Sequence, residues 1–461
     1  MEYGVQRIPH DKREYGFFDQ VVTWFGSGVN TGSWFFGGMA AAFGLSFVWT
    51  YSFVYLPLMM IPWAMIGYIA WKHGASTVTC TIPSLGVKGS RLAGIGEFFG
   101  MIGWPSVNTF IAAISLTHVF HYLWGTPAYR SEGYETPLML GILITALVQG
   151  LIVVVGHKAI KYLEWISVVL LIILGIWETV VVLQQWDYGR IMAVRMPEAQ
   201  NTPAFYFDLA FGFCWGWAMI GDFGRFSRTP RAATAGSWLG VNLGQGWFMM
   251  VGAIGVIGVV LETGVFDPNN SDPSSTIASL GLGTVAFLVV FFATVSTNVT
   301  VLYGAGMGLV GATHTASPRR YLLGIAILQF VMCFLPLAFE HFVEYFEFFL
   351  GIIGGIFIPM WTLVVLDYFL LRRRQVSDAD LFPDEFRKPS RLGDWNRAGW
   401  TAMIIGLAVY YTLNYGLKSI SAYTTAALPA ILVTILVYSV LGPRVISAQN
   451  REQPLSPPTD V

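Results

Sequence analysis

Long stretches without a charged side chain dominate the chain. Asp, Glu, Lys and Arg are absent from 20–71, 98–129, 136–157, 232–261 and 273–318, and again from 321–339, 348–366, 398–417 and 419–443. A membrane-spanning helix needs about 20 predominantly apolar residues, so most of these runs hold one span. The first, 52 residues long, holds two and divides at Gly44-Leu45-Ser46. Two further spans carry acids: 162–184 contains Glu164 and Glu178, and 203–221 contains Asp208. The pattern predicts an all-α polytopic membrane protein with twelve transmembrane helices. Its parts are an N-tail over 1–16, spans one to five over 17–184, spans six to ten over 203–374, a linker over 375–397, spans eleven and twelve over 398–443, and a C-tail over 444–461.

An even number of spans places both termini on one side, and Lys and Arg gather on the cytoplasmic side of a membrane. With both tails cytoplasmic, 22 of the 26 basic residues fall inside, and Arg130, Arg190, Arg195 and Lys418 fall outside. The expectation is an integral plasma (inner) membrane protein oriented that way. Composition agrees: 55% of residues are hydrophobic and 11% charged, against about 25% charged in an ordinary soluble domain. That deficit excludes a typical soluble enzyme, a nucleic-acid binder and a disordered chain. Cys80, Cys214 and Cys333 have no paired spacing, so neither a disulfide framework nor a zinc site is indicated and no cofactor is expected. Intramembrane catalysis has no His-Glu-x-x-His or Gly-x-Ser-x-Gly signature to support it, and a channel has no continuous polar stripe.

Spans one to five begin inside and spans six to ten begin outside, so a five-helix structural repeat must be inverted. The long connections 72–91 and 262–279 occupy matching places in the two halves. Each half also opens on a glycine-interrupted span: Gly26, Gly28 and Gly32 in span one, Gly212, Gly216 and Gly221 in span six. Unwound backbone at membrane depth persists only where it lines a cavity or is buried in protein. The matched clusters therefore predict a midplane site between two broken helices, with close glycine packing as the competing reading.

Candidate chemistry sits on the charge-free helices. Trp104 and Asn108 are one turn apart on one face of span three. An amide buried there must bond a neighbouring helix or a ligand. Ser296-Thr297-Asn298 brings hydroxyls into span eight. Oxygen donors suit a hard cation such as sodium, although Ser and Thr in such helices also bond back to their own backbone. The paired His118 and His121 near the outer end of span three read as interfacial residues rather than a metal site.

Several motifs, taken in order, resemble the nucleobase:cation symporter-1 family, and its cytosine and purine permeases more closely than its hydantoin or allantoin carriers. They are Ile8-Pro9 with Arg13, Gly-Leu-Ser at 44–46, Gly-Val-Lys-Gly-Ser at 86–90, Ile-Gly-Trp at 102–104, Gly-Asp-Phe-Gly-Arg-Phe at 221–226, Leu302-Tyr303, and Asp367-Tyr368 followed by Arg372-Arg373-Arg374. The resemblance implies a five-plus-five inverted repeat of the leucine-transporter kind, with discontinuous helices one and six and two added helices at the end. It also implies a secondary transporter working by alternating access. Trp104 would stack on the substrate, Asn108 would read its edge, Phe213 would form the opposite wall, and Gly212 would offer backbone. Thr31 and Asn298 complete the implied substrate set.

The resemblance also implies a sodium site built from the hydroxyls of Ser296 and Thr297 and carbonyls of Ala293, Ser27 and Asn30. A proton is the competing coupling ion. The expected partners are a small heterocycle, a monovalent cation and membrane lipid, with neither nucleic acid nor an obligate protein partner. The same fold carrying a vitamin heterocycle, hydantoin or allantoin, an amino acid or a quaternary amine stays open. Two departures bear on the substrate: Leu302 stands where many relatives have a second Asn, and Met101 where cytosine carriers tend to be polar.

Overall fold

The computed structural model describes residues 4–155, 157–196, 202–313 and 321–452. The basic pair Arg319 and Arg320, the stretch 197–201 and the tail from 453 lie outside the described residues. The described chain is helical; its one β feature is an isolated bridge between Tyr15 and Ser227.

Two helices open the fold, α1 (Phe17–Gly28) and α2 (Thr31–Ala40), separated by a two-residue break. Gly44, at φ +87°, turns the chain into α3 (Leu45–His73). A residue with a Cβ resists that backbone. Next come α4 (Val87–Trp124), α5 (Glu135–Val155) and α6 (His157–Gln185). A second break separates α7 (Pro203–Trp215) from the five-residue α8 (Ile220–Gly224). The series continues with α9 (Ala232–Thr263), α10 (Thr284–Thr313), α11 (Leu322–Met332) and α12 (Phe342–Leu371). It closes with α13 (Arg397–Tyr411) and α14 (Ala427–Glu452). The last helix runs on past Pro443.

Among the described residues, eight helices are long and apolar enough to cross a membrane by length and composition. Leucine, valine and isoleucine side chains stand exposed along α5, α6 and α14, where hydrocarbon rather than water is the compatible solvent. At the centre α4 and α10 pack along one another, and 94% of the apolar window of α4 is buried. The first broken pair packs mainly along α9, while α7 packs on α12 and α8 on α3. α2 lies wholly buried, and its Phe36 ring meets Phe213 of α7 at 5.2 Å.

Asp208, the acid inside predicted span six, has a structural partner. Its carboxylate accepts the backbone N–H groups of Ala426 (2.6 Å) and Ala427 (2.8 Å) at the start of α14. These first-turn donors have no intrahelical acceptor, and a carboxylate there also meets the positive end of the helix dipole. Asp208→Ala is expected to cost about 1–3 kcal/mol by orphaning both donors. Thermal unfolding in detergent should show it, with ligand affinity unchanged.

Candidate functional site

The two helix breaks face one another across α4 and α10. In the first, Asn30 is extended at φ −143° and ψ 162°. It serves as the N-cap of α2: its Oδ1 accepts the Ser33 N–H at 2.8 Å while its Nδ2 donates to the Ser27 carbonyl at 2.7 Å. A polar side chain thereby replaces the missing helical bonds in the break. The Gly26 and Val29 carbonyls accept no backbone N–H within the break. In the second, the Trp217 carbonyl accepts the Trp63 indole N–H at 2.9 Å, and the Trp215 carbonyl accepts that of Trp361 at 2.9 Å. Tryptophan donors thus satisfy backbone that the break leaves free.

A cavity of about 10 Å³ lies between the breaks, lined by Asn30, Met101, Trp104, Asn108, Phe213, Trp217, Thr297 and Val301. That is room for about one water. The Trp104 ring meets Phe213 edge-on at 5.5 Å, Phe349 edge-on at 5.1 Å and Trp217 at 6.3 Å with planes 34° apart. Aromatic edges and faces therefore close the site. Two polar atoms are available on this wall. The Trp217 indole N–H is buried and has no acceptor among the described residues. Asn108 donates through Nδ2 to Asn298 Oδ1 at 3.0 Å, and its own carbonyl accepts nothing among the described residues.

Asn298 lies behind that wall. Its Nδ2 donates to Gln149 Oε1 at 2.7 Å, and Gln149 Nε2 donates to Gln329 Oε1 at 2.7 Å. This amide chain across α10, α5 and α11 fixes which way Asn108 points. Asn298 does not line the cavity and bonds Asn108, Thr109 and Gln149 behind it. Thr31 is displaced likewise, its hydroxyl meeting that of Thr294 at 3.2 Å to hold α2 to α10. Gly212 does not line the cavity; a Cβ there would sit 2.3 Å from the Leu350 carbonyl of α12, and its own carbonyl accepts the Gly216 N–H. Trp104, Asn108 and Phe213 do converge. Trp217 lines the site beside Phe213, whereas the Trp215 indole N–H donates to the Met59 carbonyl.

A second cavity, about 20 Å³, is lined by Gly26, Ser27, Val29, Ser167, Val168, Leu171, Trp217, Ala293, Ser296, Thr297, Thr300 and Val301. Ser27, Ala293, Ser296 and Thr297 come together as expected, but Asn30 does not. The Asn30 carbonyl accepts the Trp34 N–H, and the Ser27 carbonyl is taken by Asn30 Nδ2. The free carbonyls belong to Gly26 and Val29, one residue earlier in register at each position. The break shifts the helical phase, which spacing alone did not reveal. Thr297 Oγ1 donates to the Ala293 carbonyl at 3.1 Å, while the buried Ser296 hydroxyl has no partner among the described residues. No group of three or more His, Cys, Asp or Glu suited to a metal occurs among the described residues.

Residues 7–440 match the family model described as permease for cytosine/purines, uracil, thiamine, allantoin. The chain belongs to this nucleobase:cation symporter-1 family. As a member it is an integral membrane transporter and not an enzyme. The cytosine permease of Escherichia coli (strain K12) is 24% identical over 82% of this chain and 80% of its own length. The allantoin permease of Bacillus subtilis (strain 168) is 22% identical over 94% and 91%. Among solved structures, the inward-facing conformation of Mhp1 superposes with a TM-score of 0.73 at 18% identity, covering 98% of this chain and 97% of that one. Mhp1 in a closed conformation with bromovinylhydantoin bound gives 0.71 at 18%, covering 99% and 100%. These likenesses establish the fold this permease shares with Mhp1.

Proposed function

We propose that the chain imports a neutral, planar heterocycle of nucleobase or hydantoin type together with one sodium ion. The observation that supports this most is the pair of adjoining cavities at the helix breaks. One offers aromatic rings and amides, the other hydroxyls and carbonyls, and Trp217, Thr297 and Val301 belong to both. Trp104, Phe213 and Trp217 supply faces for stacking. Asn108 Oδ1 and the Trp217 N–H supply an acceptor and a donor for the ligand edge. Neither lining contains a Lys or Arg, which speaks against a carboxylate substrate. The apolar Met101 beside Trp104 favours a ligand whose adjoining edge needs no partner.

The sodium ion would be held by the hydroxyls of Ser296 and Thr297 and the carbonyls of Gly26, Val29 and Ala293. Oxygen-only donors suit a hard cation. Neither cavity is lined by an acid or a histidine on which a coupling proton would sit. One cation crossing 100 mV releases about 2.3 kcal/mol, and a tenfold sodium gradient adds about 1.4 kcal/mol, together roughly 400-fold accumulation of a neutral solute. The reading includes twelve spans in a five-plus-five inverted repeat, both termini cytoplasmic in the plasma membrane, and alternating access by rocking of the broken helices, with Gly351, Gly354, Gly355 and Pro359 letting α12 bend.

The test is uptake of labelled cytosine, uracil, a purine, allantoin and thiamine into proteoliposomes, with and without an inward sodium gradient. At least one should accumulate only with sodium. Uptake that follows a pH gradient without sodium would overturn the ion, and exclusion of the whole panel would overturn the substrate class.

A further inference from the structure

One face of α6 leads away from the second cavity and carries an acid that neither cavity uses. Ser167 and Leu171 line that cavity. Two turns past Leu171, at the same helical phase and about 10 Å along the axis, stands Glu178. This stretch of α6 packs on α9 through small residues. A Cβ at Gly175 would sit 3.3 Å from Val251 Cγ2, a Cβ at Gly255 would collide with Glu178 Oε1, and a Cβ at Gly258 would sit 3.5 Å from Val182 Cβ. Glycine on α9 therefore makes the room that the carboxyl occupies.

Glu178 is 0% exposed, and neither carboxyl oxygen accepts a hydrogen bond from the described residues. No cation is placed to offset a charge there. The elements packed on α6 are α9, α10, α1 and α5, and their ionisable residues are Glu262, Tyr303, Asp19 and Glu135 respectively. The short helix Pro273–Ser279, which packs on α9, has none; Asp272 before it accepts the Ser274 and Ser275 N–H groups. The remaining ionisable residues of α6, His157, Lys158, Lys161, Tyr162 and Glu164, belong to its opening turns, about 20 Å or more back along the axis. A carboxylate buried without donor or counter-charge is strongly disfavoured, whereas the neutral acid fits an apolar contact. Ionisable groups held inside a membrane bundle mark ion and proton sites.

We propose that Glu178 binds a proton at the seam between α6 and α9, a proton site separate from the cation and heterocycle cavities. Loading transfers a proton from water to the carboxylate; no other bond changes. The ionised form needs water, which enters when the seam opens, so proton release and seam opening favour each other equally in both directions.

The test is infrared spectroscopy of the purified full-length protein at neutral pH, in the carboxylic-acid C=O region. Glu178→Gln and Glu178→Met should each remove one carboxylic-acid equivalent, and an undiminished band in either folded variant would overturn the site. A neutral acid without partners contributes no bond, so Glu178→Met should melt no lower than the parent; a clear drop contradicts the proposal. Val182→Cys with Gly258→Cys then tests the seam, since Cβ atoms 3.5 Å apart suit a disulfide. Oxidised, this variant should exchange the Glu178 acid proton for deuterium roughly tenfold or more slowly than the parent, and reduction should restore the rate. Failure of the disulfide to form, or exchange as fast with it as without, would overturn the link between proton and seam.

Discussion

Trp104→Ala is expected to weaken heterocycle binding roughly 5- to 150-fold, the loss of about 1–3 kcal/mol of stacking. The ring is fixed between Phe213, Phe349 and Trp217, so it presents a prepared face and spends little ordering entropy on binding. Truncation also leaves a void at the centre of α4, at about 3–5 kcal/mol of stability. Affinity must therefore be measured on protein shown to be folded, by calorimetry or scintillation proximity. Trp104→Phe separates the two effects: it keeps a stacking face and should recover most of the affinity. Unchanged affinity in Trp104→Ala would remove this ring from the site.

Ser296→Ala with Thr297→Ala is expected to raise the sodium concentration for half-maximal binding by roughly a hundredfold or more. Each hydroxyl lost from a charged partner is worth about 1.5–3 kcal/mol. Stability separates an ion ligand from a structural hydroxyl. Ser296 Oγ is buried without a partner, so Ser296→Ala alone should melt no lower than the parent in sodium-free buffer. Added sodium should then raise the parent's melting temperature by mass action and the variant's much less. Equal sodium-induced shifts in both would exclude Ser296 from the ion site.

Charge-free runs and glycine clusters made much of this architecture legible, because the bilayer core forbids charges and unpaired backbone wherever lipid is the solvent. Trp104, Asn108 and Phe213 were legible through motif order. What stayed hidden depends on contacts far apart in sequence. The bond from Asp208 to Ala426 spans 218 residues, and nothing local in span six signals a cap for α14. Asn108 and Asn298 read alike from sequence, yet one faces the cavity and the other supports it through Gln149. That the Gly26 and Val29 carbonyls are left without a backbone donor in the break was not legible, because a break alters helical phase by an amount that spacing does not carry.

The central claim is that the two cavities act on each other through the wall formed by Trp217, Thr297 and Val301. Equilibrium binding of the transported heterocycle in sodium and in choline, at constant pH and ionic strength, tests it most directly. Sodium is expected to tighten heterocycle binding about 5- to 150-fold, and the heterocycle to tighten sodium binding by the same factor, as linkage requires. Heterocycle affinity identical in sodium and choline would contradict the account.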